Sequence, residues 1–236
     1  MTIRSTPGSG SAQEVAAAIH AEIRALPVQN TPNTRALRRR YSALLKRESP
    51  TFILDVAREL LKRGYRGFPY ELIRKHRAAF QSLGEAGIEE LGQGMDSWWA
   101  VDSFARVLAG PAWLNGQVPD ALIHRWARSK DHWWRRAALV STVTLNMRSH
   151  GGKGDVPRTL RVCALLVADH DDTVVKAMSW ALRELVVHDP GAVDGFLSEH
   201  EDILAARVKR EVRHKLATGL KKPRRKRASA PSQHGR

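Results

Sequence analysis

Ten stretches of this 236-residue chain repeat apolar side chains every three or four residues, and short glycine or proline breaks separate them. They span 13–26, 34–47, 51–64, 69–82, 97–108, 118–128, 132–147, 157–168, 172–187 and 201–219. A 3.6-residue period gathers such side chains on one face of a helix, whereas a half-buried strand needs a period of two, which no segment keeps for long. The breaks fall at Pro32, Ser49-Pro50, Gly64, Gly67, Gly84, Gly92 to Gly94, Pro111, Gly116, the glycines of 151–154 and Asp189-Pro190. The pattern predicts an all-α fold of antiparallel helix pairs stacked side by side over residues 13–220. Residues 1–12 and 221–236 lack the periodicity and are rich in Gly, Ser, Pro or basic residues, which predicts two disordered tails, the second basic.

A chain of this length buries roughly 70% of its unfolded surface, so it needs no covalent staples. Its one cysteine, Cys163, cannot form an internal disulfide, and no stretch approaches the roughly 20 apolar residues of a membrane span. The small, polar start, followed by apolar residues that Glu14 and His20 interrupt, is not a secretory signal. A monomeric cytoplasmic protein, associated with the nucleoid and not with a membrane, is expected. Lysine and arginine total 39 against 24 acidic residues, a net charge of +15. The segment 220–236 carries seven basic residues and no acidic one, so the body keeps the larger share of the excess. An anionic partner such as nucleic acid is one explanation, and a solvated basic face is the other.

Three positions recur along the helical pattern. Arg136 lies 38 residues after Trp98, and Trp180 lies 44 after Arg136, close to the roughly 40–47 residues of a HEAT unit. Equivalent positions of neighbouring repeats would line one concave surface of a HEAT-like solenoid. On helix 97–108, Ala100, Val101, Phe104, Val107 and Leu108 share one side, while Trp98, Asp102 and Arg106 share the other. An aromatic at i and a carboxylate at i+4 touch, so Trp98 can wall Asp102. The plain alternative is a Trp98 that packs between helices and an Asp102 that pairs with Arg106. On helix 172–187 the core stripe is Val174, Met178, Ala181 and Leu185, and Lys176, Trp180, Arg183 and Val187 lie opposite. An aromatic ring between cations suits bases and phosphates, although inter-helix packing explains it as well. Arg135 and Arg136 fall in the first turns of the apolar helix 132–147, where helix-end amides and guanidinium groups can hold a phosphate or where an arginine can pair with an acid.

Weaker features complete the reading. Arg35, Arg38, Arg39, Arg40, Lys46 and Arg47 cluster near helix 34–47, a clamp for a nucleic-acid backbone or merely a solvated face. Ten histidines and one cysteine show neither His-Glu-x-x-His nor paired Cys-x-x-Cys spacing, and there is no phosphate-cradling glycine loop and no Gly-x-Ser-x-Gly elbow. Neither metal nor cofactor is expected.

Taken together, SWWAVD (97–102), DHWWRRAAL (131–139), DDTVVKAMSWALRE (171–184) and RVKREVRHKL (207–216) resemble the signature stretches of AlkD-type DNA alkylation-repair glycosylases, over roughly residues 15–220. The resemblance implies HEAT-like repeats whose concave face holds duplex DNA containing alkylated purines. It implies hydrolysis of the N-glycosidic bond of cationic N3- and N7-alkylated purines, without flipping of the base. By matching position it assigns the catalytic carboxylate to Asp102, the lesion-flanking rings to Trp98 and Trp180, and the backbone-contacting arginine to Arg136, with Arg135 one residue away as the alternative. A HEAT-like scaffold that binds nucleic acid without chemistry is the rival from another class. A pure binder gains nothing from a carboxylate facing phosphates. An adaptor for an acidic protein would leave Trp98 and Trp180 without a role.

Overall fold

A computed structural model describes residues 10–220, and the basic segment 221–236 and the first nine residues lie outside the described residues. Helices α1 (Ala12–Arg24), α2 (Thr31–Leu44), α3 (Pro50–Lys62), α4 (Gly67–Lys75), α5 (Arg77–Gln81), α6 (Glu85–Gly92) and α7 (Trp98–Phe104) build the first half. A π turn, Ala105–Ala109, carries α7 into α8 (Gly110–Leu114). Then follow α9 (Asp120–Ala127), α10 (His132–Asn146), a 3₁₀ turn Arg148–His150, α11 (Val156–Leu165), α12 (Asp172–Leu185), α13 (Pro190–Glu199) and α14 (Ala206–Thr218). The described residues contain no strand.

Most helix starts are written in the sequence. Ser11, Asn30, Ser49, Ser97, Asp131, Asp155, Asp171 and Asp189 each accept a hydrogen bond from an amide two or three residues on. Such caps satisfy donors that the first turn leaves open. Ser11 and Glu14 form a reciprocal capping box, so α1 starts at Ala12, one residue before the apolar periodicity, with Ser11 as its cap.

The helices stack as a helical-repeat solenoid in two rows. In one, α2 packs on α4, α4 on α7, α7 on α10, α10 on α12 and α12 on α14. The other row backs it, with α1 on α3, α3 on α5 and α9 on α11. Helices α3, α9 and α11 join the rows by packing on α4, α10 and α12 respectively. The central α10 is buried from Arg136 to Asn146, as its all-round apolar sequence requires. Phe104, Trp126 and Trp134 meet in its core, with ring centroids 4.9 to 5.9 Å apart. Cys163 is fully buried, and burial pushes its thiol up to about 12, so it is not a reactive group. No described helix is long and apolar enough to cross a membrane.

Two sequence expectations need correction. The stretch 69–82 is two helices, broken at His76, whose ring accepts from the Ala79 amide and starts α5 anew. Pro111 does not end its helix. The π turn places Gly110 N–H on Ala105 O, one residue beyond the α-helical register, and the chain resumes as α8 with Pro111 in a first turn, where no N–H is missed. This widened turn carries Arg106. Gly110 itself is required by packing, because a Cβ there would fall 2.4 Å from Thr144 Oγ1 of α10 and 2.9 Å from Ala105 O. Gly110→Ala should therefore lose about 1–3 kcal/mol by overpacking, read as a lower melting temperature. A wild-type melting curve would mean that α8 and α10 are not held this closely.

Candidate active site

Ser97 sets the site's first element. Its hydroxyl accepts from Ala100 N at 3.4 Å and starts α7, which fixes Trp98 in the first turn and Asp102 one turn later on the same face. Ala100, Val101, Phe104 and Leu108 are buried beneath. Trp98 is 61% exposed and Trp99 51%, so two large rings stand at the surface beside one carboxylate. Trp99 leans back toward Gly67 at the start of α4, and Trp98 is the more open ring.

Asp102 is not held by Arg106. Arg136 reaches across from α10 and grips it with both edges of the fork, Nε to Oδ1 at 2.9 Å and Nη2 to Oδ2 at 3.0 Å. The third nitrogen, Nη1, donates to the Thr173 carbonyl of α12 at 2.5 Å. One guanidinium, only 6% exposed, thus ties three successive helices of one row. Burial raises the Asp102 carboxyl above its ordinary value, against the hydrogen bonds and charge of Arg136 and the charge of Arg106. Asp171 caps α12 through the amides of Thr173 and Val174 and so fixes the carbonyl that receives Arg136.

Trp180 lies on α12 and is half-buried, packed against the core, with its indole N–H on Glu184 Oε1 at 3.0 Å. The Arg106 guanidinium stands over its ring, 5.5 Å from the centroid. Trp98, Asp102, Arg106 and Trp180 are therefore linked through α7, the π turn and α12, with Arg136 beneath. Trp98→Ala should melt close to wild type because the ring is mostly in solvent. Trp180→Ala should melt lower, losing part of the about 3–5 kcal/mol of a fully buried tryptophan. Equal melting temperatures would contradict this difference in burial.

Other sequence-selected cations fall elsewhere. Arg38 is 7% exposed and bonded through Nε to Glu71 at 3.0 Å, so it is a buried tie between α2 and α4 and not a surface clamp. Arg39 is exposed on α2. Arg135 donates to Asp169 at 2.6 Å and to the Ser129 and Lys130 carbonyls, which employs it in pinning loops. At the start of α10 the Asp131 carboxylate accepts from Trp133 N, so an acidic side chain already caps one of the amides of that first turn. Arg183 turns inward to Ser179 O and lies 3.7 Å from Glu211 of α14. Lys176 is exposed and pairs with Asp172 one turn earlier, at 2.5 Å. Sequence reasoning missed Thr173 and Asp169, whose arginine partners lie more than 30 residues away and meet them only through the stacking of repeats, and it missed the local cap that Asp171 gives α12. No described cluster of three His, Cys, Asp or Glu side chains could hold a metal ion.

A family model described as DNA alkylation repair enzyme matches residues 9–216. The chain belongs to that family. Among curated proteins, none matches it. As a DNA alkylation repair enzyme, the protein works on a polyanion, and the family's match spans the helices that carry Trp98, Asp102, Arg136 and Trp180.

Proposed function

We propose that the protein is a DNA glycosylase that hydrolyses the N-glycosidic bond of cationic N3- and N7-alkylated purines in duplex DNA, with the lesion left stacked. The observation that carries this reading is the Asp102 carboxylate, locked by a two-pronged arginine yet set beside an exposed tryptophan at the surface. A binding surface for phosphates has no use for it, and a buried structural ion pair has no use for the exposed ring.

The chemistry suits one carboxylate. Heterolysis of the C1′–N9 bond sends the bonding pair to the alkylated base, which leaves neutral because that pair cancels its charge. No acid need protonate it. The sugar becomes an oxocarbenium ion, and a nearby anion lowers its energy. Arg136 occupies one lone-pair direction of each Asp102 oxygen, and a carboxylate has about four in all, so the others can accept from a water. That water adds to C1′ and gives up its proton to the Asp102 carboxylate, which passes it on to solvent. The exposed, electron-rich face of Trp98 attracts the cationic base and sugar, while Trp180, with Arg106 over its ring, is the second lesion-flanking residue of this reading. The open setting of Trp98 on a helix surface supports catalysis on a stacked lesion, since flipping would call for a deep base pocket.

Release of N7-methylguanine from methylated duplex DNA tests the reading. Base release by the wild-type protein is expected. Tight duplex binding with no alkylated purine released would replace the enzyme with a non-catalytic scaffold.

A further inference from the structure

Charged side chains are rarely buried without a partner. Arg136, Arg135 and Arg38 obey that rule, and their nitrogens are spent on carboxylates, carbonyls and a hydroxyl. Two half-buried arginines near them do not. Arg106, on the π turn, forms no hydrogen bond or ion pair with the described residues, its Nε is sealed from solvent without an acceptor, and its guanidinium rests on the Trp180 ring. Arg74, at the end of α4, likewise has no acidic or carbonyl partner among the described residues and lies over the Phe80 ring, 4.4 Å from the centroid. Helix α4 packs on the π turn, and the charges of both arginines reach His150 of the 3₁₀ turn. Burial and those two charges hold the His150 imidazole below its usual value, a repulsion that an anion would relieve.

We propose that Arg74, Arg106 and His150, with Trp180 as the floor, form an anion site that grips a backbone phosphodiester of duplex DNA. The proposal rests on the glycosylase reading for its place beside the lesion, and its geometry stands without that reading. It also divides labour between the arginines. Arg136 is the positioning residue that holds Asp102, and Arg106 is the cation left to meet phosphate. The aromatic seats hold the two guanidinium planes in place, so little motion is lost when phosphate arrives.

The test is binding of undamaged duplex DNA across a salt series, which needs no chemistry and so can succeed or fail independently of base release. Arg106→Gln and Arg74→Gln should each weaken affinity and lower the slope of log affinity against log salt by about 1. Arg106→Lys restores a charge on the same ring and should recover most of the slope, which separates charge from packing if Arg106→Gln is unstable. Arg63→Gln, at the end of α3 and paired with Glu59, should change neither quantity. Wild-type slope and affinity in both glutamine variants would overturn the site. Competition by inorganic phosphate at millimolar concentration, with no change in slope for the variants, would identify a free-anion pocket and overturn it equally. If the slopes fall as expected but wild type releases no base, the anion site stands and the glycosylase reading fails.

Discussion

Asp102→Asn should slow single-turnover release of N7-methylguanine from duplex DNA by about 10²–10³, the usual cost of one preorganised electrostatic group. The asparagine keeps the shape and can still accept one hydrogen bond from Arg136, but it removes the negative charge that faces the developing sugar cation. Duplex binding should persist or tighten slightly, because a negative group leaves a surface that meets phosphates. The wild-type pH profile gives a second reading that does not depend on any variant folding. The working form is the carboxylate, so activity is present above its pKa and is lost as pH falls through it. Burial raises that pKa, and the acid limb should therefore lie above the ordinary aspartate value of about 3.9. An Asp102→Asn protein that binds DNA and releases base as fast as wild type would remove the carboxylate from the mechanism.

Much of the architecture was legible because it is local. Periodicity and caps located most helices, and the one-turn spacing of Trp98 and Asp102 placed them on one face, with Ala100, Val101, Phe104 and Leu108 buried opposite. Helices α6 and α13 do not stand out in the apolar pattern because glycines punctuate them and Asp189-Pro190 reads as a break, whereas the aspartate caps a helix and the proline sits in its first turn. The π turn was invisible for another reason. Its register is set by Pro111 and by the close approach of Gly110 to Thr144, neither of which alters the apolar pattern. Among the cations, sequence gives residue type and face but not partner. Arg38 lies in a basic run that looks solvated, yet Leu37 and Tyr41 turn that face of α2 inward, and Glu71 meets it from 33 positions away. Arg135 and Arg136 were indistinguishable as neighbours. One helical step sends the first to Asp169 and the second to Asp102.

Arg136→Gln should produce the largest combined loss. Removing one member of a buried, two-pronged pair leaves the other charge desolvated and uncompensated, at a cost of about 3–5 kcal/mol. The Thr173 carbonyl loses its donor in the same step, so the seam between α10 and α12 weakens together with that between α10 and α7. For a domain of this size each kcal/mol moves the melting temperature by about 2–4 °C, so a fall of roughly 6–20 °C is expected. The functional effect follows from the same electrostatics. The hydrogen bonds and charge of Arg136 oppose the effect of burial on Asp102, and without them its pKa rises further. The acid limb of base release should then shift to higher pH than in wild type, with activity at neutral pH reduced by the smaller ionised fraction. A purely structural role predicts a lower melting temperature and an unmoved limb. A phosphate-gripping role predicts a smaller salt slope for DNA binding and, again, an unmoved limb. Only a residue that keeps the carboxylate ionised moves the limb, and a wild-type pH profile in folded Arg136→Gln would end that assignment.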